Sequence, residues 1–99
     1  MVTTTQHTQD TSVLHLEGRM TAERQDERLP SRVQRLIDQG VRRLVLDLGG
    51  VSYMDSTCLG EIIEVELTIL RHGGQLTLVN VPPRVQRLFD ISHVTDLQA

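Results

Sequence analysis

Hydrophobic and polar positions along this 99-residue chain change period several times, and each change marks a new element. Ser12 to Glu17 carries Val13, Leu14 and Leu16 in a short run that reads as a strand ended by Gly18. Val2 to His7, rich in threonine, is a candidate first edge strand, and Gln9-Asp10 would turn it back as a hairpin. Within Thr21 to Gln39, Leu29, Val33, Leu36 and Ile37 recur at helical spacing. Arg24, Asp26, Glu27, Arg28, Arg32 and Arg35 form the solvated side of that helix. Pro30 inside a helix costs roughly 3 kcal/mol, so the regular helix either starts near it or kinks there. Gly40 ends it.

Leu44 to Leu48 is apolar on both faces apart from Asp47, which predicts a central strand covered on two sides. Gly49 to Met54 reads as a connection. From Ser56 to Arg71 the apolar positions Leu59, Ile62, Ile63, Leu67 and Leu70 follow a helical period, with Glu61, Glu64 and Glu66 on other faces. Gly73-Gly74 stops this helix, Gln75 to Val81 reads as a strand, and Pro82-Pro83 breaks it. Pro83 opens a helix through Val85, Leu88 and Phe89, and Ile91 to Leu97 reads as a last short helix. Strand–helix–strand units joined by crossovers favour parallel neighbours. The order therefore predicts one α/β domain spanning residues 1–99, with a mixed, mostly parallel sheet of about four to five strands flanked by helices.

Composition narrows the function. Tyr53 and Phe89 are the only aromatics and tryptophan is absent, so the core must be aliphatic. Net charge is −3 and no basic block accompanies stacking aromatics, which argues against direct nucleic-acid binding. Cys58 is the only cysteine, so no intrachain disulfide can form, as suits a reducing compartment. Residues 1–10 are polar and lack the apolar centre of a signal peptide, and no stretch approaches the roughly 20 apolar residues of a membrane span. The expectation is a soluble cytoplasmic domain without membrane insertion.

The candidate chemistry lies where the central strand runs into the helix opened by Ser56 and Thr57. Amides at a helix start lack internal partners and the dipole is positive there, so an anion is favoured. Ser56 would then be an exposed hydroxyl on a rigid base, suited to carrying a phosphoryl group; the plainer reading is a helix cap. Thr57 is the runner-up hydroxyl. Asp55 reads equally as an orienting acid or as a turn or capping residue. Cys58 reads as a small packed or interface residue, with a redox sensor as the sharper alternative. Glu61 and Glu64, three apart, offer either an acidic docking edge or a solvated face. His7, His15, His72 and His93 are scattered without ligand spacing, so no metal or other cofactor is expected. A hydrolase elbow needs Gly-x-Ser-x-Gly, whereas Met54 and Cys58 occupy the flanking positions here. Gly49-Gly50 lacks the lysine and the spacing of a Walker loop.

The run Leu44-Val-Leu-Asp-Leu-Gly-Gly-Val-Ser-Tyr-Met-Asp-Ser-Thr-Cys-Leu-Gly60 resembles the signature of STAS domains, specifically bacterial anti-sigma factor antagonists. The similarity continues through Arg71-His-Gly-Gly-Gln-Leu-Thr-Leu-Val and Val85-Gln-Arg-Leu-Phe-Asp-Ile. Upstream, Gly18-Arg19-Met20-Thr21 resembles a glycine-led loop of that family. Two positions depart from the pattern: Cys58 stands in place of the usual glycine, and Thr21 in place of a frequent acid. The chain also ends at Ala99, sooner than many relatives.

The resemblance implies a non-enzymatic switch. In the unmodified state such a protein binds an anti-sigma factor that is also a serine kinase, and thereby frees a sigma factor. Phosphorylation of the serine after the motif aspartate, Ser56 by position, releases it, and a metal-dependent serine phosphatase restores it. Relatives usually act as monomers. The implied partner-binding residues are Thr21, Asp55, Thr57, Cys58, Leu59, Gly60, Glu61 and Glu64. The alternative is a constitutive STAS scaffold or transport-associated subunit without a phosphorylation cycle.

Overall fold

The computed structural model describes residues 2–8, 10–24 and 27–91. Seven elements follow in order: β1 (Val2–His7), β2 (Thr11–Met20), α1 (Leu29–Asp38), β3 (Arg43–Met54), α2 (Ser56–Arg71), β4 (Gln75–Val79) and α3 (Pro83–Ile91). They form a four-stranded sheet in the order β1-β2-β3-β4. The hairpin partners β1 and β2 are antiparallel. The other two pairs, β2 with β3 and β3 with β4, are parallel. This is the mixed α/β sheet that the element order predicts. The last short helix expected over Ile91 to Leu97 falls, beyond Ile91, outside the described residues.

Two strands are longer than their glycines suggest. Gly18 was expected to end β2, yet the strand continues to Met20 and pairs Gly18 with Val51, Arg19 with Tyr53 and Met20 with Met54. Gly18 has φ +79°, and the register shifts on either side of it, so it serves as a bulge residue. Its partner strand likewise runs through Gly49-Gly50 to Met54, which leaves Asp55 alone as the connection to α2. A Cβ on Gly50 would lie 3.3 Å from the Leu16 carbonyl oxygen and 3.0 Å from Glu17 Cγ. That glycine allows close strand approach rather than a turn.

The sheet is covered chiefly on one face. Leu44, Leu46 and Leu48 of β3, Leu14 and Leu16 of β2, and Leu76 and Leu78 of β4 are buried. The alternating residues Val13, His15, Val45, Asp47, Thr77 and Val79 are only half-buried. This corrects the expected two-sided cover of β3: its apolar run hides an ordinary period of two. A one-residue slip would turn three buried leucines outward, at about 1.5–3 kcal/mol each, so the register is firmly specified. On the open face His15 Nδ1 lies 2.9 Å from Asp47 Oδ2. Asp47 Oδ1 accepts from the Gly49 amide at 2.9 Å and from Asn80 at 3.1 Å.

The helices form the opposing layer, with α2 in contact with both α1 and α3. Pro30 lies in the first turn of α1, where its missing amide costs no hydrogen bond, and Leu29, Val33, Leu36 and Ile37 face the core as their spacing predicts. The inward stripe of α2 differs from the expected one. Cys58, Leu59, Ile62, Val65 and Ile69 are buried, whereas Leu67 and Leu70 are exposed. Burial in the remaining helix centres on Val85 and Phe89.

Candidate functional site

The site is built where β3 passes through Asp55 into α2. Asp55 has extended backbone, φ −98° and ψ 175°, and is the N-cap of the helix. Its Oδ1 accepts from the Cys58 amide at 3.0 Å, while Oδ2 accepts from the Ala22 amide at 2.9 Å. Its own amide donates to the Met20 carbonyl at 3.1 Å. One aspartate thus caps the helix and ties it to the segment after β2. Burial works to raise the Asp55 pKa, but the amides of Cys58, Ala22 and Thr57 outweigh it, and the net shift is downward.

That geometry changes the expected anion chemistry. The carboxylate already fills the positive end of α2, so the Cys58 amide is not available to a phosphoryl group on Ser56. Ser56 and Thr57 are exposed at the first two helical positions. A phosphoryl group on Ser56 would therefore stand in solvent beside a carboxylate.

Cys58 and Glu61 lie on the opposite side of the same turns. The Glu61 side chain is buried and meets Arg24, with Nη2–Oε1 at 2.6 Å and Nη1–Oε2 at 3.2 Å. Both side chains are nearly closed to solvent, at 4% and 7% exposure, so this pair is internal. Glu61 Oε1 also accepts from the Leu29 amide at 2.9 Å. The start of α1, whose N-cap Arg28 supplies no side-chain acceptor, is thus capped by a carboxylate from α2. Arg24 donates as well to Thr21 O at 3.3 Å and Cys58 Sγ at 2.8 Å. It gathers the segment between β2 and α1 onto α2.

Burial pushes the Cys58 thiol pKa up to about 11; Arg24 opposes the rise, and Glu61 and Asp55 add to it. Cys58 is a helical, packed residue. The thiol form is favoured, which removes the redox-sensor reading.

The predicted phosphorylation site and the residues predicted as partner-facing therefore divide. Ser56, Thr57, Gly60 and Glu64 are exposed, and Asp55 is half-buried. Thr21, Cys58, Leu59 and Glu61 are buried. Glu61 is consequently neither a docking edge nor a solvated residue, because its carboxylate is used internally by Arg24 and Leu29. Glu64 reaches Arg28 at 3.3 Å across the exposed surface. Sequence reasoning missed Arg24, assigning it to a solvated face, and nothing in its charged neighbourhood marks it as internal. Glu61 did carry a signal: it lies three residues after Cys58 and four before Val65, on their face of the helix. Among the described residues no three histidine, cysteine or acidic side chains gather as metal ligands. No helix among them is long and apolar enough to cross a membrane.

The pattern of the STAS domain matches residues 3–98. The anti-sigma-B factor antagonist of Bacillus subtilis is 42% identical over 62 residues, covering 63% of this chain and 56% of that protein. The corresponding Staphylococcus aureus antagonist is 36% identical over 58 residues, covering 59% of this chain and 54% of that protein. These matches span little more than half the length of either relative. The solved structure of the anti-sigma factor antagonist SpoIIAA in its unphosphorylated form matches with TM-score 0.80 at 20% identity, covering 100% of this chain and 86% of that one. With the sequence pattern matched over almost its whole length and the fold shared with SpoIIAA, this chain belongs to the STAS domain family.

Proposed function

We propose that this chain is an anti-sigma factor antagonist. In this reading it binds an anti-sigma factor that is a serine kinase, frees a sigma factor while unmodified, and is released by phosphorylation of Ser56. A metal-dependent serine phosphatase restores it. The chain works in the cytoplasm as a kinase substrate and binding partner rather than as a catalyst. The observation that carries this reading is the exposed Ser56 at the start of α2, beside an N-cap carboxylate held in place by two amides.

The electrostatics favour a local switch. Phosphoserine adds about −1.5 to −2 charges. Because Asp55 already caps the helix, the new dianion gains little from its own fold and faces whatever covers Ser56. One unit-charge repulsion at roughly 6 Å and an effective dielectric of about 20 is worth nearly 3 kcal/mol, or on the order of 100-fold in affinity. Ser56, Thr57, Gly60 and Glu64 form the contact surface, and the buried Glu61 and Cys58 keep its helix fixed from behind. The relative SpoIIAA keeps a matching fold in its phosphorylated form too, at TM-score 0.75, consistent with a switch that leaves the domain folded.

The test is to incubate the chain with its cognate anti-sigma factor kinase and ATP and to map the added phosphoryl group by mass. Phosphate on Ser56, absent from Ser56→Ala, is the expected result. Ser56→Asp should bind the anti-sigma factor more weakly with unchanged thermal stability. A chain that stays unmodified with its cognate kinase, yet still binds a scaffold or transporter partner, would establish the constitutive alternative instead.

A further inference from the structure

The ladder between β3 and β4 stops at the pair Asp47–Val79, while β3 runs on to Met54. After Val79 the chain leaves the sheet through Asn80, at φ 55°, and enters α3 at Pro83. The outer part of β3 is paired to β2 on one side. Its other edge has no strand partner among the described residues. A cleft of about 510 Å³ opens between that part of β3 and the first turns of α3, bounded by Val51, Ser52, Pro83 and Arg84. A second hollow of about 370 Å³, reaching Tyr53, Met54 and Leu88, shares Arg84, Val85 and Arg87 with the first. The two hollows adjoin along α3 and are treated as two parts of one groove.

The lining is chemically one-sided. Val51, Met54 and Val85 are buried and form an apolar floor. Arg84 and Arg87, three apart on α3, are exposed and border both parts of the groove. Arg19 does not line the groove but sits over the ring of Tyr53, which does, at 4.9 Å from its centroid. Among the described residues no carboxylate lines either part of the groove. In a chain of net charge −3, such a grouping of cations is a local feature.

We propose that this groove seats an extended, acidic segment of the anti-sigma partner, laid beside the outer half of β3 in the position that β4 vacates. Unpaired strand edges take extended segments through backbone hydrogen bonds, and alternate side chains then enter pockets. Apolar side chains of the segment face Val51, Met54 and Val85, while its carboxylates meet Arg84 and Arg87. Met54 is two residues from Ser56, which limits their Cα separation to about 7.6 Å. A phosphoryl group on Ser56 is thereby introduced close to an acidic ligand. The identity of the partner rests on the proposed function; the groove's preference for acidic extended chains does not.

The test uses a fluorescein-labelled octapeptide of alternating valine and aspartate, with its valine–lysine counterpart as control, titrated into the full chain. The expected result is saturable anisotropy with the acidic peptide alone, weakening as salt is added. Amide shifts should be confined to Val51–Tyr53 and Arg84–Leu88. The double variant R84E/R87E, with both positions exposed and circular dichroism to confirm folding, should lose about tenfold or more in affinity. Equal binding of both peptides, undiminished binding by the double variant, or shifts located elsewhere would overturn the proposal. A chain that its kinase phosphorylates on Ser56 but that, while unmodified, ignores the acidic peptide would keep the switch and remove the groove. Peptide binding without phosphorylation would do the reverse.

Discussion

The two sides of the first turns of α2 follow opposite rules. On the inner side Cys58, Leu59, Glu61 and Ile62 are buried, and Glu61 joins α2, Arg24 and the start of α1 in one network. On the outer side Ser56, Thr57, Gly60 and Glu64 are exposed. A modification can alter the outer side without touching a core contact, because the inner side already holds the helix in place. The difference teaches that a switch residue needs little structure of its own when the back of its helix is over-determined.

Breaking the inner side should give the largest effect on stability. Glu61→Ala leaves Arg24 buried without its carboxylate and the Leu29 amide without an acceptor, and should cost about 3–5 kcal/mol in urea unfolding. A cost near that of an exposed substitution would sink the distinction between the two sides. Adding Arg24→Met to Glu61→Ala should recover part of the loss, since no unpaired charge is then left inside.

Asp55→Ala sits at the boundary and should cost about 1–2 kcal/mol through loss of the cap. Its pH dependence has a definite sign. The folded pKa of Asp55 is depressed, so its stabilisation is complete above the ordinary aspartate value of about 3.9 and is lost as pH falls through the lower folded value. Wild-type and Asp55→Ala stabilities should therefore converge in acid; a constant gap down to the lowest accessible pH would contradict the assigned hydrogen bonds.

Gly60→Ala should move stability the other way. Nothing lies within 4 Å of an added Cβ, and alanine is favoured over glycine in a helix interior by about 0.5–1 kcal/mol. Weaker anti-sigma binding by this more stable variant would show that the partner approaches the bare backbone. Ser56→Ala should be the mildest, within about 0.5 kcal/mol of wild type in unfolding, while abolishing phosphorylation. The substitution that abolishes phosphorylation is thus expected to be the one that perturbs stability least.

Much of this arrangement was legible in the chain. The helical spacing of Leu29, Val33, Leu36 and Ile37 and the glycine pair after Arg71 locate α1 and the end of α2, because periodicity and breakers act within a few residues. The Asp55-Ser56-Thr57 run places a capped helix start after a strand for the same reason. What misled was each feature whose meaning depends on a distant neighbour. Gly18 and Gly50 read as stops, yet they admit a bulge and a close approach inside paired strands. Leu67 and Leu70 read as core but are exposed.

Local sequence determined the elements, their order and the placement of a serine at a helix start, since these depend on propensity, capping and hydrophobic period. Only the tertiary structure decided which charges are internal. Arg24 and Glu61 are separated in sequence by all of α1, all of β3 and the first turn of α2, and their pairing arises from packing α1 against α2. The same holds for the groove beside α3, which exists because β4 leaves the sheet before β3 ends. Contacts between residues far apart in sequence are set by how elements dock, and no local pattern encodes that geometry.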